Sequence, residues 1–196
     1  MILFKMVEQA RRIGALDLLD RVSRMIHALQ QAEGLRPAQW ETLRYLSQAN
    51  RYSRSPSAVT AFLHATRSPV SQVINSLVSR GLVDRHPNPK DKRGVFLSVT
   101  DKGRDILKRD PLNRVSSAVY ALEDTARESI ELGLGSLLAE MQRGRRHHAF
   151  GICDTCRMFC RDGASDDPAG PHRCGLTQEP LTHDDSRLIC VEQKSA

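Results

Sequence analysis

All five cysteines of this 196-residue chain lie beyond residue 150, and their spacing is where side chains first suggest chemistry. Cys153 and Cys156 form a Cys-x-x-Cys pair, with 17 residues between Cys156 and Cys174 and 15 between Cys174 and Cys190. Two thiolates from one tight turn reach a common metal, and two more at loop-length distances complete a tetrahedral set. Cys153, Cys156, Cys174 and Cys190 are therefore the candidate ligands. Zn2+ suits them because the tail is poor in core-forming residues, so metal binding would supply folding energy. A [4Fe-4S] cluster also takes four thiolates and stands as the alternative. Cys160 is a spare thiol or a substitute ligand, and His172 and His183 are weaker candidates, since polar loops often carry histidine.

A second cluster has different chemistry. Arg67, Ser68, Ser71, Gln72 and Asn75, preceded by Thr66, lie off an apolar stripe of Val70, Val73, Ile74 and Leu77. Gln72 and Asn75 have the paired donor and acceptor that match adenine in a major groove. Arg67 and Ser68, near a helix N-terminus, suit phosphate. Lys90, Lys92 and Arg93 follow on a short polar turn, where Asp91 would orient the arginine. Residues 51–110 hold 12 Lys or Arg against 5 acidic residues, whereas residues 150–196 hold 5 against 8. A basic middle segment points to a polyanion such as double-stranded DNA.

The elements that must position these groups follow from periodicity. Apolar residues at three- and four-residue steps predict one long helix from Ile2 to about Glu33, stopped by Gly34. Pro37 opens a helix with a core face of Trp40, Leu43 and Leu46. Ser55 and Pro56 begin a short helix reaching about His64, and Thr66 begins the next, which Gly81 stops. Residues 82–100 change to a two-residue period, with Val95, Leu97 and Val99 alternating, as a hairpin with a basic tip. Thr100 caps a helix to about Arg109. Pro111 breaks it before a run from Val115 to Met141, whose continuity Gly133 and Gly135 weaken. Residues 143–148 form a basic linker.

The expected fold class is thus mainly α with a small β-wing, a winged helix-turn-helix with a small irregular cysteine-rich module. The expected organisation is an N-terminal dimerisation helix (1–34), a DNA-binding domain (35–110), C-terminal dimerisation helices (111–145) and a metal-binding extension (146–196). Charged residues interrupt every apolar run before membrane length, so a cytoplasmic protein without membrane contact is expected. There is no Gly-rich phosphate loop, no nucleophile with a recognisable base and no catalytic carboxylate pair, so enzymatic chemistry has no support. Two other readings remain open: a thiol-disulfide redox protein using Cys153 and Cys156, though no βαβ pattern surrounds them, and a zinc-dependent protein-interaction adaptor.

Residues 35–107, with Gln39-Trp40, the run from Thr66 to Ser71, Leu77 to Val83, the Asp91-Lys92-Arg93 tip and Leu97 to Arg104 in that order, resemble the MarR family of bacterial transcriptional regulators. The resemblance extends over residues 1 to about 142. It implies a homodimer of interlocked terminal helices on a pseudo-palindromic operator, and a small aromatic or phenolic effector. His27 and Trp40 could border an effector pocket, although both read more simply as core or edge residues. Pro111 and the extension past residue 145 depart from the family pattern. The tail is similar, over a short stretch, to small four-cysteine modules that hold a [4Fe-4S] cluster in some enzyme subunits. An iron-sulfur centre would imply redox or iron sensing, and zinc a structural role.

Overall fold

The computed structural model describes residues 14–31, 34–87, 94–142 and 150–194. Its elements run α1 (Ala15–Leu29), α2 (Pro37–Gln48), α3 (Pro56–Phe62), α4 (Arg67–Ser79), β1 (Val83–Pro87), β2 (Val95–Val99), α5 (Asp101–Leu107), α6 (Leu112–Tyr120) and α7 (Asp124–Gln142). The tail adds a 3-10 turn (Cys153–Thr155), β3 (Phe159–Cys160), β4 (His172–Cys174), β5 (Pro180–Leu181) and α8 (His183–Arg187). The body is mainly helical with a two-stranded antiparallel wing, as the periodicity predicts.

The core forms where α2 meets the other elements of the wing domain. Trp40, Leu43 and Leu46 are fully buried, together with Val59 of α3, Ile74 and Leu77 of α4 and Leu97 of β2. Local chemistry sets the helix starts. Ser55 accepts a hydrogen bond from the Ala58 amide at 3.2 Å, and Pro56 needs no partner at the first helical position. Thr100 caps α5 by accepting from the Gly103 amide at 3.0 Å. Thr66 precedes α4 in extended conformation without a side-chain capping bond. Instead, Gln39 Nε2 donates to Ser76 Oγ at 2.9 Å and ties α2 to α4. The wing pairs Val83 with Val99 and Pro87 with Val95. Gly81, at φ 68°, lets the chain leave α4 and turn directly into it.

Several boundaries differ from expectation. The part of the first helix expected before residue 14 lies outside the described residues; the described helix starts at Ala15, with Gly14 at φ 79° as its N-cap. It ends at Leu29 rather than at Gly34, which instead lies in the following turn at φ 64°. Gly133 and Gly135 sit inside α7 without breaking it; the interruption falls at residues 121–123. The basic linker at 143–148 lies outside the described residues.

The tail is docked on the wing domain. Ile189 bridges Ala49 in parallel, with the Asn50 amide donating to the Ile189 carbonyl at 2.9 Å and the Ile189 amide to the Gln48 carbonyl at 2.8 Å. The Val191 amide donates to Ser53 Oγ at 2.8 Å. Phe150 meets Tyr45 and Phe62 edge-on, with ring centroids 5.9 and 5.1 Å apart. These contacts explain why the polar residues Asn50 and Ser53 are buried.

Candidate nucleic-acid interface and cysteine cavity

Helical spacing alone turns α4 into a two-faced element. Val70, Ile74 and Leu77 point into the core and Val73 is half-buried. Thr66, Arg67, Ser68, Ser71, Gln72 and Asn75 are all exposed. The polar set read from the sequence is therefore presented together on one face. An open cleft of about 670 Å3 runs between α3, α4 and the wing, lined among others by Ser57, Thr60, Arg67, Ser71 and Arg85.

Arg85 was not anticipated. It lies on β1, and its Nη2 donates to Asn75 Oδ1 at 2.7 Å. The only sequence signal for it was a cation two residues along the strand from the buried Val83; the pairing with α4 is tertiary. Lys90, Asp91, Lys92 and Arg93 lie outside the described residues, so the β-ladder shows the wing's base and not the expected basic tip. Trp40 is a core residue at 0% exposure and His27 lies exposed on α1.

The tail brings the four selected cysteines around one cavity. Cys153 opens the 3-10 turn, and the Cys156 amide closes it by donating to the Cys153 carbonyl at 2.8 Å. Cys174 ends β4, held opposite Phe159 by strand pairing. Cys190 arrives by its bridge to Gly151, the Cys190 amide donating to the Gly151 carbonyl at 2.8 Å. Cys153, Cys156, Cys174 and Cys190 line the same cavity, with a volume of about 30 Å3. The rest of its wall is mostly apolar, with Met158, Phe159, Leu176 and Leu181.

Burial, reinforced by the thiols of Cys190, Cys156 and Cys174, pushes the Cys153 thiol up to about 12. An attacking redox thiol needs the opposite shift. Among the described residues no three His, Cys, Asp or Glu side chains converge tightly enough to share a single ion. Cys160 is exposed on β3 and does not line the cavity. His172 is buried but turned to other partners, its Nδ1 accepting from the Asp162 amide at 3.1 Å and its Nε2 lying 3.0 Å from His183 Nδ1.

Tyr52 connects the two sites. It lines both the cysteine cavity and the cleft beside α4. Its Oη donates to Glu179 Oε2 at 2.7 Å and accepts from Thr177 Oγ1 at 3.3 Å.

A model of the MarR family matches residues 33–94. The uncharacterized HTH-type transcriptional regulator ML2140 of Mycobacterium leprae is 34% identical over 105 residues, which cover 53% of this chain and 72% of that protein. The structure of S. aureus MepR in a complex with DNA shares the fold, with a TM-score of 0.57 and 17% identity over 68% of this chain and 100% of that one. CouR from Rhodococcus jostii RHA1, solved with p-coumaroyl-CoA bound, is 26% identical with a TM-score of 0.53, covering 66% of this chain and 94% of its own. No described helix is long and apolar enough to cross a membrane. The winged arrangement around α4 and the matching regulators agree: this chain belongs to the MarR family, whose members regulate transcription by binding DNA and are not enzymes.

Proposed function

We propose that this protein is a cytoplasmic homodimer that binds a pseudo-palindromic DNA operator through α4 and the wing, and that its four-cysteine tail holds a metal. The observation that carries the DNA-binding reading is the exposed face of α4, where Arg67, Ser68, Ser71, Gln72 and Asn75 stand free of the core. Gln72 and Asn75 read base edges, Arg67 and Ser68 position the helix on phosphates, and Lys90, Lys92 and Arg93 bring the wing to the minor groove, with Asp91 orienting Arg93.

The dimer is supported by apolar side chains left exposed in the single chain, including Leu16 and Met25 of α1, Tyr120 of α6 and Leu132 and Met141 of α7. α1 packs against α6, so Leu16, Met25 and Tyr120 belong to two associated helices. A patch of that extent on a soluble regulator is normally covered, and a second copy covers it in two-fold register. The CouR likeness supports a small-molecule effector as a further input.

Selection from a random duplex pool tests this reading. An enriched inverted repeat, bound with an affinity that falls steeply with salt, is the expected result. Arg93→Ala should weaken binding to all sequences, and Asn75→Ala should relax preference within each half-site. Enrichment of no repeat, or full operator affinity in both variants, would overturn the docking mode.

A further inference from the structure

A single zinc ion draws four sulfurs to about 2.3 Å from one point. Cys153, Cys156, Cys174 and Cys190 surround a cavity of about 30 Å3, at least twice the room one water molecule requires. Its wall is mostly apolar, so water would find few hydrogen-bond partners there. Thiols arranged around such a space match a polynuclear core, which fills the centre with its own irons and sulfides while each cysteine binds one corner. The Lys194 amide, 3.5 Å from Cys156 Sγ, supplies an N–H to a ligating sulfur.

The cavity also reaches the wing domain. The loop after Cys174 grips the segment between α2 and α3: Tyr52 bonds Glu179 and Thr177, and Arg51 Nη2 donates to the Pro180 carbonyl. That segment touches the wing in turn, where the Leu97 amide of β2 donates to the Arg54 carbonyl at 2.7 Å. Tyr52 itself lines the cleft that holds Arg67 and Arg85.

We propose that Cys153, Cys156, Cys174 and Cys190 hold one [4Fe-4S] cluster, and that the cluster, by fixing the 174–180 loop on Tyr52, sets the DNA-binding geometry of α4 and the wing. The second half rests on the DNA-binding reading above; the first does not. Loading is a ligand exchange without change of oxidation state. Each cysteine S–H bond breaks, one iron–sulfur bond to the cysteine forms, and the proton leaves with the thiolate that the cysteine displaces from the incoming cluster.

The test uses the full chain purified under argon and treated with a preformed [4Fe-4S] cluster carried by a small thiol. About four irons and four sulfides per chain, with a broad absorption near roughly 400 nm, are expected. Cys160→Ser should load equally and Cys174→Ser should not. Colourless protein, or about one zinc per chain with no sulfide, overturns the cluster. On the duplex selected above, cluster-loaded protein should bind about tenfold more tightly than cluster-free protein. Tyr52→Phe should keep its iron and lose most of that difference. Equal affinity of loaded and cluster-free protein, or an unchanged ratio in Tyr52→Phe, overturns the coupling. A loaded protein that binds no duplex sinks the DNA-binding reading and leaves the iron and sulfide result standing.

Discussion

In the base-reading role proposed for it, Asn75 is oriented before DNA arrives. Its Oδ1 accepts from Arg85 Nη2 at 2.7 Å, which leaves the amide N–H2 directed away from the wing and available as a donor. An Asn with a fixed orientation loses less rotamer freedom on binding than a free one. Arg85 adds a cation to the cleft floor beside Arg67. Arg85→Ala should therefore act twice: it removes one phosphate-directed charge and releases Asn75. The slope of log affinity against log salt should fall by about one, and discrimination at the base pair contacted by Asn75 should weaken by about 1–3 kcal/mol. Arg85→Lys should restore the slope without the discrimination, because an ammonium is a point charge and does not hold an amide oxygen in a fixed plane. Titrations of matched and mismatched duplexes at several salt concentrations separate the two effects. A variant that changes neither would remove Arg85 from the interface.

Two glycines show what decides the boundaries and contacts of elements. A Cβ on Gly103 in α5 would lie 2.3 Å from the Leu82 carbonyl oxygen and 2.7 Å from Val99 Cγ1. The absence of a side chain is what lets α5 lie down against the root of the wing. Gly103→Ala should destabilise the fold by about 1–3 kcal/mol through forced displacement of backbone. Gly133, inside α7, meets nothing within 4 Å, so Gly133→Ala should stabilise that helix by about 0.5–1 kcal/mol. Urea unfolding at one protein concentration checks both signs. Gly133 was expected to weaken its helix and does not end it. A glycine's cost is small beside the cooperativity of a 19-residue helix. Where the sequence did predict well, the cause is local. Ser55 with Pro56, Thr100 and the alternation at Leu97 and Val99 carry their geometry within a few residues. The convergence of Cys153, Cys156, Cys174 and Cys190 on one cavity, without Cys160, was also legible, because their spacing is written along the chain. Asn50, Ser53 and Tyr52 were not legible as contact residues. They look like an ordinary polar loop until residues 177–191 close over them, more than a hundred positions later.

The arrangement of exposed apolar surface makes the last demand on the assembly. Leu16 is 79% exposed, Met25 63% and Leu132 73%, all on the terminal helices that flank the wing domain. Left to water, these side chains would favour aggregation. Covered by a second copy, they bring two α4 helices into a fixed two-fold relation, which is what an inverted repeat requires. Binding of the second half-site then becomes intramolecular, so dimer formation multiplies affinity without any new DNA contact. The proposed dimer should sediment at twice the 21.9 kDa chain mass, and Met25→Glu combined with Leu132→Glu should convert it into a monomer. Operator affinity should fall by about a hundredfold or more. Affinity for a single half-site should change little, because neither residue lies near Arg67, Gln72 or Asn75 in the chain. The iron loading proposed for the four cysteines should be unaffected, since all four lie in one tail. A variant that remains dimeric would place the partner interface elsewhere; a monomer with undiminished operator affinity would mean that each chain reads its DNA alone.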